Sequence, residues 1–255
     1  MNWRTFFALL SRDAHVARRN GITLLLQVLF QPMLFVFVFG RVMTSSGLMV
    51  QQYKSMLVPG IIAVSMTFSG VWAVAMPLIS EFQFTKEIED RLLAPIEIEW
   101  VAVEKIVAGM LQALVAGLIV LPVGWVVMGG LDLSHASWPL MLSVAVLVAM
   151  LSAAIGLVLG CAIGQTQIGL MFSLFITPMI FFGCTYYPWQ ALSAFPTLQR
   201  LVLVNPLVYA SEGFRGALVP QLPHLPLAAV TLALVGFNTL LLTIGLRLFR
   251  KKALG

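Results

Sequence analysis

Charged positions along this chain are sparse, and the stretches between them are almost continuously apolar. There are 21 uncharged residues between Arg19 and Arg41, 26 between Lys54 and Glu81, and 26 between Lys105 and Asp132. The run from Asp132 to Arg200 contains 67 residues without Asp, Glu, Lys or Arg, and the run from Arg215 to Arg247 contains 31. A helix crosses the hydrocarbon layer with roughly 20 apolar residues, each advancing it by about 1.5 Å. Four of these runs therefore hold one span each and the longest holds two, which predicts six transmembrane helices. Membrane strands would read as alternating segments of roughly ten residues, and the chain shows none.

The pattern also sets the boundaries. Residues 2–19 are predicted to form an amphipathic helix: Trp3, Phe6, Phe7, Leu10, Ala14 and Ala17 make one stripe, and Arg4, Ser11, Arg12, His15, Arg18 and Arg19 the opposite arc. Such a helix lies in the membrane interface, and Asn20-Gly21 ends it. Spans are expected over about 22–39, 56–79, 106–128, 139–163, 168–183 and 225–246, with a charged loop over 81–105. The fifth is short. At about 24 Å it undershoots a core of about 30 Å. The uncharged stretch after it holds Tyr186, Tyr187, Pro188, Trp189, Phe195 and Pro196, an unusual composition for a water-facing loop. It reads as short helices re-entering the outer leaflet across 184–217, buried against protein as such backbone requires.

Composition agrees with this class. Of the 255 residues, 60% are hydrophobic and 10% charged, whereas soluble domains carry about 25% charged residues. The expectation is an all-α integral membrane protein forming one transmembrane domain over residues 1–255. No cleavable leader is expected, because four arginines are scattered through the first 20 residues. Cys161 and Cys184 read as small core residues, not as a disulfide or metal site. The net charge of +5 sits at span ends, so it reads as a topology signal and not as a nucleic-acid surface. With both termini placed inside, eleven of the fifteen basic residues fall on the cytoplasmic side and four outside. The positive-inside rule favours that orientation.

The acids are distributed differently. Glu81, Glu87, Glu89, Asp90, Glu97, Glu99 and Glu104 fall within the 81–105 segment beside Lys86, Arg91 and Lys105, a local net charge of −4. Anionic headgroups repel such a segment, which points to a protein surface as its partner. The alternative is a solvated loop whose charges keep it out of the bilayer. Lys86 to Leu93 is compatible with a helix that Pro95 stops. No glycine-rich phosphate loop occurs, and His15, His135 and His224 lack metal-ligand spacing. The predicted spans are free of Asp, Glu, Lys and Arg, which argues against a proton or sodium relay. An ion-driven carrier using backbone and hydroxyl oxygens is the alternative reading. A membrane-embedded enzyme and a non-transporting assembly subunit are weaker ones.

Two stretches carry a resemblance. Glu89-Asp90-Arg91-Leu92-Leu93-Ala94-Pro95 is similar to the acidic coupling helix of ABC-2-type exporter permeases, the group that includes nodulation-factor, daunorubicin-resistance and polysaccharide export permeases. Asn205-Pro206-Leu207-Val208-Tyr209-Ala210-Ser211-Glu212-Gly213-Phe214-Arg215-Gly216 is similar to that family's segment before the last span. The resemblance covers essentially the whole chain. It implies a bacterial inner-membrane exporter of an amphipathic substrate: a drug, a lipid or a lipid-linked glycan. It further implies a second permease copy and a separate ATP-binding subunit that holds ATP and magnesium, with no cofactor on this chain. Lys86, Glu87, Glu89, Asp90, Arg91, Leu92, Leu93 and Pro95 would then contact the ATP-binding subunit, and the interfacial helix would touch the same subunit. A second inner contact would fall to Gln165 and Gln167, which lack the charge expected there. Tyr186, Tyr187 and Trp189 would belong to an outer gate. Glu212 and Arg215, three residues apart on a predicted helix, read first as a structural ion pair and alternatively as part of that gate.

Overall fold

The computed structural model describes residues 52–83, 98–127 and 133–254, together with positions 11, 30, 34, 37, 38 and 42. Apart from those single positions, the interfacial helix at 2–19, the first span at 22–39 and the coupling stretch from Lys86 to Pro95 lie outside the described residues. Regular structure among the described residues is helical throughout. It comprises α1 (Gln52–Gln83), α2 (Ile98–Val127), α3 (Trp138–Ala162), α4 (Ile168–Phe181), α5 (Pro196–Leu201), α6 (Pro206–Leu218) and α7 (Leu227–Ala253). Four of these, α1, α2, α3 and α7, are long and apolar enough to cross a membrane.

α1 is the central element. It packs between α2 and α3, α7 lies against α3, and α6 covers α1, α3 and α7. Close approach, more than side-chain bulk, makes the α1–α3 contact. A Cβ at Gly156 would stand 2.8 Å from the Val71 carbonyl oxygen, and one at Gly160 would stand 3.1 Å from the Ala75 Cα. Ser152, Gly156 and Gly160 recur every four residues, the small-residue stripe by which helices meet in lipid, where apolar burial gives no advantage over lipid contact. Asn238 supplies polar adhesion on the other side of α3, its Nδ2 donating to the Leu147 carbonyl at 3.0 Å.

α4 is short and irregular, as its length in the sequence implies. Its middle turn, Phe172–Ile176, is π-helical, and α-helical turns stand on either side. Pro178 contributes to the break, because it has no N–H to offer the carbonyl four residues earlier. The chain then runs through a turn at Trp189–Ala194 into α5 and α6. Asn205 starts α6, its side chain accepting from Leu207 N with Pro206 at the first helical position.

Two expectations about charge need correcting. α1 continues to Gln83 and α2 begins at Ile98, so Glu81, Glu99, Glu104 and Lys105 are helical, not loop residues. Glu81, Glu104 and Lys105 are buried, so two helices long enough to cross a membrane carry buried ionisable groups just beyond the predicted spans 56–79 and 106–128. The helices carry these charges inward because Lys105 Nζ meets Glu81 Oε1 at 2.8 Å, and opposite charges tolerate burial as a pair where single ones do not. α7 likewise runs on to Ala253 past the expected end at Leu246. Arg250, Lys251 and Lys252 in its last turn suit the negative end of the helix dipole.

Candidate functional site

The candidate site has two parts joined by α1, called outer and inner after the orientation expected from the sequence. The outer part is built around Glu212 and Arg215, which form an ion pair with no exposure on either side chain. Glu212 Oε1 accepts from Arg215 Nη1 and from the Trp189 backbone N–H at 2.9 Å, and Oε2 accepts from the Leu225 N–H at 2.8 Å. Arg215 Nη2 donates to the Cys184 carbonyl at 3.0 Å. One ion pair on α6 therefore holds both the 184–189 segment and the residue that leads into α7. Burial pulls the Arg215 guanidinium below its usual range, and the adjacent carboxylate pulls it back up. Its Nε has no partner among the described residues, so the clasp is not fully satisfied and opening it costs correspondingly less.

The aromatic residues expected at this gate come together around the clasp through their polar atoms. Tyr187 Oη donates to the Phe181 carbonyl at 2.9 Å. Trp189 Nε1 donates to the Gln199 carbonyl at 2.9 Å, and Gln199 Nε2 returns a bond to the Trp189 carbonyl at 3.3 Å. The Tyr186 carbonyl accepts from Tyr53 Oη at 2.9 Å, which ties the segment to the first turn of α1. A second tie lies about two turns further along. A Cβ on Gly60 would stand 1.9 Å from the Thr185 carbonyl oxygen, so only glycine admits that backbone. Cys184 holds a left-handed backbone at φ 51°, a conformation that a non-glycine residue keeps only where its surroundings enforce it. Burial, reinforced by the Glu212 charge, pushes its thiol up to about 12.

The inner part surrounds the two ends that flank residues 84–97. The Lys105–Glu81 pair joins α2 to α1, and Gln83 Nε2 reaches the Ile163 carbonyl at 3.5 Å. Lys86, Glu87, Glu89, Asp90, Arg91, Leu92, Leu93 and Pro95 fall outside the described residues. Between the two parts α1 presents Phe68, Trp72 and Met76, half-buried residues one turn apart. Phe68 and Trp72 stack at 5.8 Å between ring centroids, and Phe172 from the π-helical turn of α4 lies 5.2 Å from Trp72. Sequence reasoning missed Tyr53, Gly60, Cys184, Gln199 and this aromatic group. Nothing local distinguishes Gly60 from the other 19 glycines.

Among the described residues no group of His, Cys, Asp or Glu is placed to hold a metal ion, and both cysteines are free and buried. The model of the family described as "ABC-2 type transporter" matches residues 4–219. The chain is also 24% identical over 216 residues to the inner membrane transport permease YadH of Escherichia coli strain K12, covering 84% of this chain and 82% of that protein. The YadH protein of Shigella flexneri matches with the same identity and coverage.

Proposed function

This chain belongs to the ABC-2 type transporter family and is a multi-pass membrane permease of the ABC transporter class; from that premise we propose that it is the permease subunit of an ATP-driven exporter. ATP and magnesium are held by a separate ATP-binding subunit, and a second permease, in a homodimer or a heterodimer, completes the assembly. The chain forms one domain with six spans and both termini in the cytoplasm of a bacterial inner membrane. The observation that carries this reading is the family match across residues 4–219. Lys86 to Pro95 docks on the ATP-binding subunit. In support, the helices flanking that stretch are joined by the buried Lys105–Glu81 pair, a footing stiff enough to pass a push into the bundle. The 184–217 segment re-enters the outer leaflet and forms the gate, which the Glu212–Arg215 clasp closes. An amphipathic substrate is supported by the half-exposed aromatic residues Phe68, Trp72 and Phe172 on otherwise apolar helices.

The test is a pull-down in mild detergent, with wild type beside the Glu89→Lys, Asp90→Lys double variant. An ATP-binding subunit that accompanies wild type and is lost from the variant is the expected result. Wild type that carries no ATPase in any of several detergents overturns the reading, and an ion-driven carrier takes its place.

A further inference from the structure

The cytoplasmic end of α7 is built into the inner part of the site by contacts that the docking of residues 84–97 does not itself require. Lys252 Nζ donates to the Cys161 carbonyl at 3.0 Å and lies 3.5 Å from that of Gly160. These are among the carbonyls that the end of α3 leaves without helical partners, so Lys252 caps α3 from another helix. The same ammonium sits 4.8 Å from the centroid of the Phe82 ring, within cation–π range. Phe82 lies in the last turn of α1, next to the ion-paired Glu81, and meets the Phe249 ring edge-on at 5.8 Å. Phe249 is buried. Arg250 and Glu99 approach to 3.8 Å at the surface, adding a weak link from α7 to the start of α2.

These contacts converge on one side chain. Lys252 touches α3 through its carbonyls and α1 through a ring, while it belongs to α7. The remainder of α7 is largely exposed along its apolar length, and its buried residues are Val230, Leu234, Asn238, Gly245 and, at this inner end, Phe249.

We infer that Lys252, seated on Phe82 and on the end of α3, is a coupling pin: a positioning residue that makes α7 move with the packed α1–α3 pair when residues 84–97 are driven from outside. This rests on the proposed ATP-driven reading. A push delivered to the end of α1 enters Phe82 directly. Lys252 passes it to α3 by hydrogen bonds and to α7 by its own backbone. α7 is the helix that follows Leu225, whose N–H the outer clasp holds, so the pin joins the inner drive to the outer gate by a second route besides α1. Without it, α1 and α3 still move together through their close packing, while the inner end of α7 lags behind, and ATP is hydrolysed without a matching outward step.

The experiment compares wild type, Lys252→Ala, Lys252→Arg and Phe82→Leu, each co-purified with its ATP-binding subunit and reconstituted in vesicles. ATPase rate and the ATP-dependent movement of two amphipathic probes, a fluorescent cationic dye and a short-chain fluorescent phospholipid, are measured on the same preparation. The expected result for Lys252→Ala is an ATP-binding subunit still bound, an ATPase rate within about twofold of wild type, and flux per ATP lower by about tenfold, the scale set by losing one cation–π contact and one charged hydrogen bond. Lys252→Arg keeps the charge and the donors and is expected to restore most of the ratio. Phe82→Leu, which keeps an apolar contact but no ring face, is expected to fall between. Equal flux per ATP in wild type and Lys252→Ala overturns the pin and leaves the exporter reading standing. A proportional fall of ATPase and flux in Lys252→Ala, unrelieved by arginine, also overturns it by marking a stability role alone. Wild-type complex without ATP-dependent flux refutes the exporter reading itself, and the pin falls with it.

Discussion

Removing Arg215 is the sharpest perturbation of the outer clasp. Arg215→Ala deletes the ion pair to Glu212 and the bond to the Cys184 carbonyl, and leaves a fully buried carboxylate. Breaking a buried pair from one side costs about 3–5 kcal/mol, most of it from the charge left behind. Glu212 still accepts from the Trp189 and Leu225 N–H groups, so its charge is partly compensated and the lower end, about 3 kcal/mol, applies. That favours opening of the 184–189 segment by roughly a hundredfold, since each 1.4 kcal/mol is about tenfold. The native sensor is Cys184, which is buried and held as a neutral thiol by its raised pKa, and such thiols react slowly. A membrane-impermeant maleimide applied from outside, in a Cys161→Ala background, should label Cys184 slowly in the parent and much faster in Arg215→Ala. Arg215→Lys, which lacks the two-pronged geometry needed to bridge Glu212 and Cys184, should label at an intermediate rate. Export should fall in Arg215→Ala while the ATP-binding subunit stays bound. Parent-like labelling would refute the clasp, and unchanged export would remove it from the gate.

Two further predictions concern the ends of α1. Gly60→Ala should lower thermal stability by about 1–3 kcal/mol, the usual range for overpacking, because its methyl would overlap the Thr185 carbonyl; a detergent melting curve matching the parent would show that the outer segment yields there at no cost. Lys105→Met should destabilise by about 3–5 kcal/mol, and Glu81→Gln added to it should recover much of that loss. Melting temperatures of the two single variants and the double variant check the coupling, and strict additivity would contradict it.

The class of this protein was legible because the bilayer imposes a length on every apolar run. Uncharged stretches of 26 and 31 residues have few soluble explanations, and the helices α1, α2 and α7 appear where those stretches lie. The pairing of Glu212 with Arg215 was legible too, because i, i+3 spacing on one helix is local geometry. What that pair holds was not. Its other partners, Cys184, Trp189 and Leu225, lie up to 31 residues away in sequence, and backbone N–H and C=O groups are the same at every position.

The inner charges show the same division. Glu81, Glu104 and Lys105 read as solvated loop residues when each is judged by its own polarity, which is a one-body property. Their burial depends on α1 and α2 standing side by side so that opposite charges meet, which is a two-body property that no window along the chain contains. Lys252 is the clearest case. As the last in a cluster of basic residues it reads as a topology signal, and as a neighbour of Phe82 and the end of α3 it is a cap and a pin. By itself the sequence determined how many apolar helices to expect, roughly where they lie and which side its positive charges favour, because those follow from hydropathy and length. Only the tertiary structure decided which polar groups face one another across helices, because a partner 91 residues distant is selected by packing and leaves no trace in local composition.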